Sequence, residues 1–333
     1  MISYEGDHQH GSCRLEMVDR PAPRPGPGQV LVRVAACGIC ATDLQMIDGW
    51  DRTGYPSVPG HEWVGIVEAV GPGADGGLLG RRVVAENVLS DGGEVGFEHP
   101  GGYAEYLVTE ASGLHLVSSR ICFPSATLIE PLAVCVRGMR RLHPEGRRRA
   151  LVWGDGPIGL LMTALLRRAG MAEVVVVGGR PGPLRVAREL GAATVLNYHD
   201  LSGDLAQAVA DACGTRFPNV IEASGAVAAM QASLDVASPG GRVLLLGDYG
   251  QARADFSWNQ ILHRELELVG SCASAGAWAE AVRLAEEREV PLARLVTHSL
   301  PADRFVEAVA LARSHGDDVI KVILTWPADA QET

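Results

Sequence analysis

Short apolar runs broken by glycine and proline characterise the chain from about residue 30 to residue 110. Two of these runs are VLVRVAA at residues 30–36 and WVGIVEAVG at residues 63–71. Runs of this length that are rich in valine and bounded by turn residues are typical of β-strands. The pattern therefore predicts a β-domain in the N-terminal third of the chain.

From about residue 150 the pattern changes to strands that alternate with helices. ALVW and EVVVV flank the helical segment LLMTALLRRAG, and further apolar runs occupy residues 194–196, 219–222, 242–246 and 266–270. Six strands alternating with helices predict a doubly wound parallel sheet, so the fold class is α/β. Two amphipathic helices, AWAEAVRLAEERE and ADRFVEAVALARSH, and a closing strand, VIKVIL, are predicted after residue 275.

Composition narrows the range of partners. The chain has 333 residues and a net charge of -11, which disfavours binding to the phosphate backbone of nucleic acid. No apolar run approaches the roughly 20 residues that cross a bilayer, and the N-terminus lacks the pattern of a signal peptide. We therefore expect a cytoplasmic protein with no membrane partner. Its seven cysteines are expected to be thiols, with one serving as a metal ligand.

A glycine-rich turn, GDGPIG, follows the predicted strand ALVW and opens a helix. In that context the first glycine permits a sharp turn, the second allows a pyrophosphate to approach, and the third lets the helix pack on the strand. The turn predicts a dinucleotide site, although a plain strand-to-helix turn is the alternative interpretation. The predicted cofactor-binding residues of the turn are Gly154, Gly156, Pro157, Ile158 and Gly159.

The end of the second strand indicates which dinucleotide binds. An acidic residue is expected there for NAD(H), but the position holds Gly178 and Gly179, followed by Arg180. The glycines leave room for a 2′-phosphate and the arginine offers it a charged fork, so NADP(H) is favoured over NAD(H). Arg180 as a solvated turn residue is the alternative. Tyr198 is positioned to stack on the adenine, whereas Asp155 places an opposing charge near the phosphates unless it points to water.

Cys40, His61 and Glu62 offer a thiolate, an imidazole and a carboxylate, which is a ligand set that zinc accepts in catalytic sites. Each residue alone has an ordinary structural explanation. Cys37 and Cys40 also form a C-x-x-C pair, which could be a redox pair or half of a structural zinc site, but the sequence holds no second such pair.

The motifs together resemble the zinc-containing medium-chain dehydrogenase/reductases, and within them the sorbitol, threonine and polyol dehydrogenase branch. The motifs are CGICATD, PGHEWVGIVEAVG, GGYAEYLV, IEPLAV, GDGPIG, VIEASG, PGGRVLLLG and LVTH. The resemblance implies a GroES-like β-barrel catalytic domain formed by residues 1–130 and 274–333, with a Rossmann domain at residues 131–273. It also implies a homodimer or homotetramer.

The resemblance further implies roles for individual residues. Cys40 and His61 would bind the zinc, whereas Cys37 would not. Glu62 and Glu130 would provide carboxylate ligands, and Asp43 would orient the imidazole of His61 from the side of the ring away from the metal. Thr42 would hydrogen-bond the substrate oxygen and, with Cys40, His61 and Glu62, complete the catalytic set.

Two departures from the family pattern change the expected chemistry. Gln45 stands where many relatives carry a histidine that ends a proton relay, and a glutamine does not take up a proton near neutral pH. The proton is expected to leave through water or a ribose hydroxyl instead. The stretch VVAENVLSDGGEVGFEH contains none of the four cysteines that hold a structural zinc in many relatives, so one zinc per chain is expected.

The predicted activity is zinc-dependent hydride transfer between a secondary alcohol or polyol, or its ketone, and NADP(H). The alternatives are an NAD-dependent aminocyclitol dehydrogenase of the deoxyinosamine type, a zinc-free quinone or enone reductase, and a non-catalytic NADPH-binding protein. The candidate substrate-pocket residues are Gln45, Trp50, Tyr55 and His99.

Overall fold

The computed structural model describes residues 1–7, 12–50, 57–144 and 149–327, apart from the side chains of residues 3–7 and 12–14. The strands are β1 Ile2–Asp7, β2 Ser12–Met17, β3 Gln29–Gly38, β4 Glu62–Val70, β5 Arg82–Ala85, β6 Tyr106–Glu110, β7 Leu114–Leu116, β8 Arg149–Trp153, β9 Glu173–Gly178, β10 Thr194–Asn197, β11 Phe217–Glu222, β12 Ala237–Leu245, β13 Glu267–Gly270, β14 Val296–Pro301 and β15 Lys321–Thr325.

The helices fall between these strands. They are α1 Ala41–Ile47, α2 Phe123–Ala126, α3 Ile129–Leu142, α4 Pro157–Arg168, α5 Pro181–Glu189, α6 Leu205–Cys213, α7 Val227–Val236, α8 Trp258–Arg264, α9 Trp278–Glu286 and α10 Phe305–Ser314. Within the described ranges, every helix is too short or too polar to span a lipid bilayer.

The second half of the chain forms a six-stranded sheet in the order β10-β9-β8-β11-β12-β13, and every pair of neighbouring strands is parallel. Alternate residues of β9 face opposite cores: Val174 and Val176 pack on one side, Val175 and Val177 on the other. Helices therefore cover both faces. The prediction of a doubly wound parallel sheet is confirmed, and its switch point lies between β8 and β11.

The other large sheet contains strands from both ends of the chain, in the order β14-β15-β3-β4-β5-β7, with β6 also paired to β3. β15 runs antiparallel to β3, with Ile323 opposite Gly38. The C-terminal strand therefore lies beside the segment that carries the predicted metal ligands. This arrangement supports a discontinuous β-domain, while the boundaries at residues 130 and 274 stay predictions.

Two of the helices that the apolar periodicity did not predict lie at the site. α1 has only seven residues and begins immediately after Cys40. α3 begins at Ile129, so that Glu130 lies in its first turn.

Candidate metal and cofactor site

Three predicted metal ligands converge in the structure. Cys40 caps the N-terminus of α1 just after β3, while His61 and Glu62 stand at the start of β4. The antiparallel register of the two strands sets Gly38 opposite Glu62, which brings the side chains together. One ligand atom from each of Cys40, His61 and Glu62 lies within 4.8 Å of the other two. Sulfur, nitrogen and oxygen donors at this spacing fit a zinc ion.

Asp43 fixes the geometry of this group from the first turn of α1. Its Oδ2 accepts a hydrogen bond from the backbone N–H of Cys40 at 2.8 Å, and the hydroxyl of Tyr103 donates to the same oxygen at 3.2 Å. Its Oδ1 lies 3.3 Å from Nδ1 of His61. Because the carboxylate of Asp43 lies beside Nδ1, the Nε2 atom of the ring remains for a metal ion.

The electrostatics of the site favour positive charge at His61. Burial opposes the charged forms of both Asp43 and His61, but their mutual attraction outweighs it. The pKa of His61 is raised well above its ordinary value, with Cys40 adding to the effect, and the pKa of Asp43 is lowered. The same surroundings that stabilise a proton on His61 would also stabilise a divalent cation bound beside it.

A buried lysine, which the sequence analysis missed, is bound to Glu62. Nζ of Lys321 lies 2.6 Å from Oε1 and 2.5 Å from Oε2 of the carboxylate. Gly38 makes room for the pair, because a Cβ at that position would lie 2.2 Å from Glu62 Oε2. The available signal was a single lysine inside the apolar strand VIKVIL. A cation in such a run needs a buried partner.

Glu130 lies outside the close group of three ligand atoms. Burial and the neighbouring carboxylates Glu62 and Asp43 raise the pKa of Glu130 to about 7, against the opposing fields of His61 and Lys321. Its carboxylate therefore lies within the electrostatic reach of the site. Its assignment as a further zinc ligand stays a prediction.

The two cysteines of the C-x-x-C motif have different surroundings. Cys37 is fully buried in β3, and burial, followed by Asp43 and Glu62, raises the pKa of its thiol well above the ordinary value. A neutral buried thiol is a poor metal ligand. Cys40 is partly exposed, and its Sγ lies 3.7 Å from Oγ1 of Thr42, the predicted partner of the substrate oxygen.

The candidate pocket residues differ in their surroundings. Gln45 lies half-buried on α1, and Trp50 follows that helix with 36% of its surface exposed. His99 is held by Asp91, with Nε2 2.9 Å from Oδ2. Tyr55 lies outside the described residues.

Phe97, which the sequence analysis did not consider, packs beside the predicted metal ligands. Its ring centroid lies 5.1 Å from that of His61, and its side chain is buried. It therefore forms an apolar wall next to the imidazole.

The glycine-rich turn has the geometry of a nucleotide cradle. Gly154 has a φ of 108°, a left-handed value that favours glycine. A Cβ on Gly159 would lie 2.0 Å from the carbonyl oxygen of Gly154, so helix α4 can pack here only with glycine. A Cβ on Gly156, which caps α4, would meet nothing within 4 Å. The turn thus leaves open space in front of the helix N-terminus, where a pyrophosphate fits.

The end of β9 differs from the sequence expectation in one respect. Gly178, Gly179 and Arg180 stand there as predicted, but the guanidinium of Arg180 is not free. Its Nε and Nη2 atoms donate to Oδ1 of Asp155 at 3.0 and 2.7 Å. Asp155 is buried rather than pointing to water, because its carboxylate turns toward the strand end instead of outward.

Tyr198 lies against the same strand end. Its side chain is 48% exposed, and a Cβ on Gly179 would lie 2.6 to 2.7 Å from its ring and hydroxyl atoms. Glycine at position 179 therefore allows the Tyr198 ring to approach the backbone closely. The location agrees with the predicted role of Tyr198 beside an adenine, which stays a prediction.

Comparisons with protein families match both parts of the chain. A family model described as the alcohol dehydrogenase GroES-like domain matches residues 26–119. A second, described as zinc-binding dehydrogenase, matches residues 157–287. The family resemblance noted from the motifs is thereby confirmed, as is the pairing of a GroES-like domain with a Rossmann domain.

Individual proteins support the same assignment. The D-altritol 5-dehydrogenase of Agrobacterium fabrum is 32% identical over 313 residues, which cover 86% of this chain and 90% of that protein. Two solved structures, each 24% identical, show the same fold. One, described as a short chain alcohol dehydrogenase from E. coli CFT073 complexed with NADH, has a TM-score of 0.89 and covers 98% of both chains. The other, a zinc-binding dehydrogenase from Sinorhizobium meliloti 1021 bound to NADP, has a TM-score of 0.85 and covers 98% of this chain and 100% of that chain.

Proposed function

This chain belongs to the zinc-containing medium-chain dehydrogenase/reductase family and is a zinc-dependent alcohol dehydrogenase, and on that premise we propose its substrate class and its cofactor. It transfers a hydride between a secondary alcohol or polyol, or the corresponding ketone, and NADP(H), with one zinc per chain. The convergence of Cys40, His61 and Glu62 within 4.8 Å carries this proposal.

In this assignment Cys40, His61 and Glu62 hold the metal, and Glu130 provides a further carboxylate. A zinc ion bound there supplies Lewis-acid polarisation of an alcohol oxygen. Asp43 keeps the imidazole in the orientation and tautomer that present Nε2, and it is itself held by the Cys40 N–H.

Thr42 is proposed to hydrogen-bond the substrate oxygen and to move its proton. The position of its hydroxyl near Cys40 supports that role. Because Gln45 has no titrating group near neutral pH, Thr42 would pass the proton to water or to a hydroxyl of the bound cofactor rather than to residue 45.

NADP(H) is the proposed cofactor. The turn of Gly154, Gly156 and Gly159 would hold the pyrophosphate, and Pro157 and Ile158 open the helix behind that turn. The end of β9 would hold the 2′-phosphate, with Arg180 as the source of positive charge and Tyr198 as the stacking surface. The NADP-bound structure of similar fold supports this choice, and the NADH-bound structure makes a direct comparison of the two cofactors necessary.

The substrate class is proposed from the relatives. The D-altritol 5-dehydrogenase and a D-arabitol-phosphate dehydrogenase from Enterococcus avium, 28% identical over 321 residues, are both named for polyols. A half-buried amide at Gln45 and the indole of Trp50 offer this chain one polar and one apolar surface beside α1.

We also propose that the protein forms a homodimer, or a tetramer built from such dimers, through the outer edge of the Rossmann sheet. β13 ends that sheet, and Leu268 on it is 37% exposed. Trp258 and Leu262, one turn apart on the adjacent helix α8, are 75% and 69% exposed. Apolar side chains beside an open strand edge favour pairing with a second copy. Light scattering should show a smaller species for Trp258→Glu than for the control Val306→Glu.

The central experiment is an activity screen of polyols and secondary alcohols, with NADP and NAD in parallel, on protein of measured zinc content. We expect turnover that rises with zinc occupancy, reaches its best value on a polyol or secondary alcohol, and is more efficient with NADP. Turnover that is independent of zinc, or confined to primary alcohols, would overturn the proposal. A consistent preference for NAD would overturn its cofactor part.

A further inference from the structure

The carboxylate of Asp155 lies at the end of β9 and is fully engaged there. Its Oδ2 accepts the backbone N–H groups of Gly179 at 2.9 Å and Arg180 at 2.8 Å. Its Oδ1 accepts Nε and Nη2 of Arg180 at 3.0 and 2.7 Å. These four hydrogen bonds fill the lone-pair sites of a carboxylate.

The same set of donors is what a phosphate monoester needs. Two backbone N–H groups at a helix N-terminus and one edge of a guanidinium are standard partners of a phosphate. Here the helix is α5, with Arg180 as its N-cap. A Cβ on Gly178 would lie 2.5 Å from Asp155 Oδ2, so the carboxylate fills the space that a side chain at the end of β9 would occupy.

Arg180 has no free edge for a second anion. Besides its bonds to the Asp155 carboxylate, Nη2 donates to the carbonyl oxygen of Asp155 at 3.2 Å, and Nη1 donates to the carbonyl oxygen of Val319 at 2.6 Å. Four of its five N–H groups are thus engaged. A bidentate contact with a phosphate requires two donors on one edge, so at least one existing bond must break.

We propose that Asp155 is an internal mimic of the cofactor's 2′-phosphate and determines how strongly the protein distinguishes NADP(H) from NAD(H). It occupies the anion site until a 2′-phosphate displaces it, and the displacement weakens NADP(H) binding. NAD(H) carries no phosphate at this position and leaves the Asp155 bonds in place. The inference rests on the proposed function, because it takes Arg180 as the partner of the phosphate.

Two matched nucleotides measure the contribution of the 2′-phosphate to binding, and neither contains a nicotinamide or requires the metal. Adenosine 2′,5′-bisphosphate and adenosine 5′-monophosphate differ only in the 2′-phosphate, and calorimetry gives the dissociation constant of each. In Asp155→Asn we expect the bisphosphate to bind at least about tenfold more tightly than in the wild type. Binding of the monophosphate should change by less than about threefold.

Two results would overturn the inference. An unchanged ratio of the two dissociation constants means that Asp155 does not compete with the phosphate. A ratio that shifts against the bisphosphate means that Asp155 instead positions Arg180 to receive it. Asp155→Ala repeats the test without an amide in the site.

The variant Arg180→Ala tests the proposed cofactor site independently of the inference about Asp155. If Arg180 binds the 2′-phosphate, this variant loses affinity for the bisphosphate and not for the monophosphate, whatever Asp155 does. If neither Asp155 variant folds, a crystal structure of the wild type with the bisphosphate decides the question. A phosphate within hydrogen-bond distance of the Gly179 N–H, with Asp155 turned away, supports the inference, whereas intact bonds between Asp155 and Arg180 beside a bound phosphate refute it.

Discussion

The ammonium of Lys321 and the carboxylate of Glu62 form a buried ion pair between residues 259 positions apart in sequence. Burial lowers the pKa of Lys321, but Glu62 and Cys40 outweigh that effect, so its pKa lies above the ordinary value. The lysine is therefore a permanent cation that contacts a predicted metal ligand. It joins the C-terminal strand β15 to the start of β4, and it holds the Glu62 carboxylate close to Cys40 and His61.

Replacing Lys321 by methionine should destabilise the metal-free protein strongly. The change leaves the Glu62 carboxylate buried without its partner, and breaking a buried pair in this way costs about 3–5 kcal/mol. Urea unfolding in the presence of a chelator measures the loss. The double variant Lys321→Met, Glu62→Gln serves as the control, because it removes both charges and should recover much of the stability. If the single and double variants unfold at the same urea concentration, the pair does not stabilise the site.

Cys40→Ala should abolish zinc retention and turnover while leaving nucleotide binding intact. The Cys40 sulfur is one of three donor atoms within 4.8 Å, whereas the glycine turn proposed to bind the nucleotide follows a strand of a separate sheet. Metal analysis of purified protein and calorimetry with NADPH measure the two properties.

Cys37→Ala is the matched control for that experiment. Its thiol is buried and its pKa is raised, so it should lose stability but keep its zinc. Full activity in Cys40→Ala, or loss of zinc from Cys37→Ala alone, would refute the assignment of the metal ligands.

Asp43→Asn should weaken zinc binding by roughly 10–100-fold, the usual effect of losing a carboxylate behind a metal-bound histidine. An amide presents one acceptor oxygen in place of two, so it cannot serve the Cys40 N–H and the His61 ring equally well. Competition with a zinc-sensitive dye gives the affinity. Tyr103→Phe is the control, because it removes only the hydrogen bond to Asp43 Oδ2 and should alter zinc affinity much less. Equal losses in both variants would mean that general packing, and not the carboxylate, determines the affinity.

The metal site could be predicted from the sequence because its reactive residues stand next to predicted strands. Cys40, His61 and Glu62 stand at the ends of apolar runs, so their residue types and their approximate location could both be inferred. The six strands from β8 to β13 were found for the same reason, although β12 begins at Ala237 rather than at the apolar run 242–246. Its first residues, ASPGG, carry little apolar signal, and Ala237 is held by pairing with Phe217.

The remaining features depend on contacts between distant segments. Lys321 meets Glu62 only because β15 pairs with β3, and no local pattern encodes that register. Asp155 meets Arg180 across 25 residues because β8 and β9 are neighbours in the parallel sheet. The sequence showed that residue 155 carries a negative charge, but not which way its side chain points. The rotation of that one side chain decides whether the carboxylate faces water or the strand end.

Gln45→His should add an ionisation to the pH profile of turnover. Histidine titrates with an ordinary pKa of about 6.5, whereas glutamine does not titrate, and position 45 lies on α1 one turn after Thr42. Steady-state rates between about pH 5.5 and 9 reveal the change, and Gln45→Asn should keep the wild-type profile. If the profile of Gln45→His is also unchanged, protons do not travel by way of residue 45.

His115 should make the stability of the protein depend on pH. The side chain stacks on Trp278, with ring centroids 5.9 Å apart and an angle of 8° between the rings. Burial lowers the pKa of His115 below its ordinary value, although Glu86, 3.8 Å away, partly offsets the effect. Near pH 6 the unfolded chain therefore binds more protons than the folded one, so the stabilisation is complete above a pH of about 7 and is lost as the pH falls through the folded-state pKa.

The wild type is expected to lose stability between about pH 7.5 and 5.5, and His115→Gln should make that loss smaller. The difference should be less than roughly 1 kcal/mol because the ring is only half-buried. Glu86→Gln should act in the opposite direction, since without the carboxylate the pKa of His115 falls further and the loss on acidification grows. Urea unfolding gives the free energy of unfolding of all three proteins at the two pH values. Subtracting the wild-type value removes the contributions of the titrating groups that the proteins share. An identical loss in the three proteins would show that protonation of His115 is not coupled to folding.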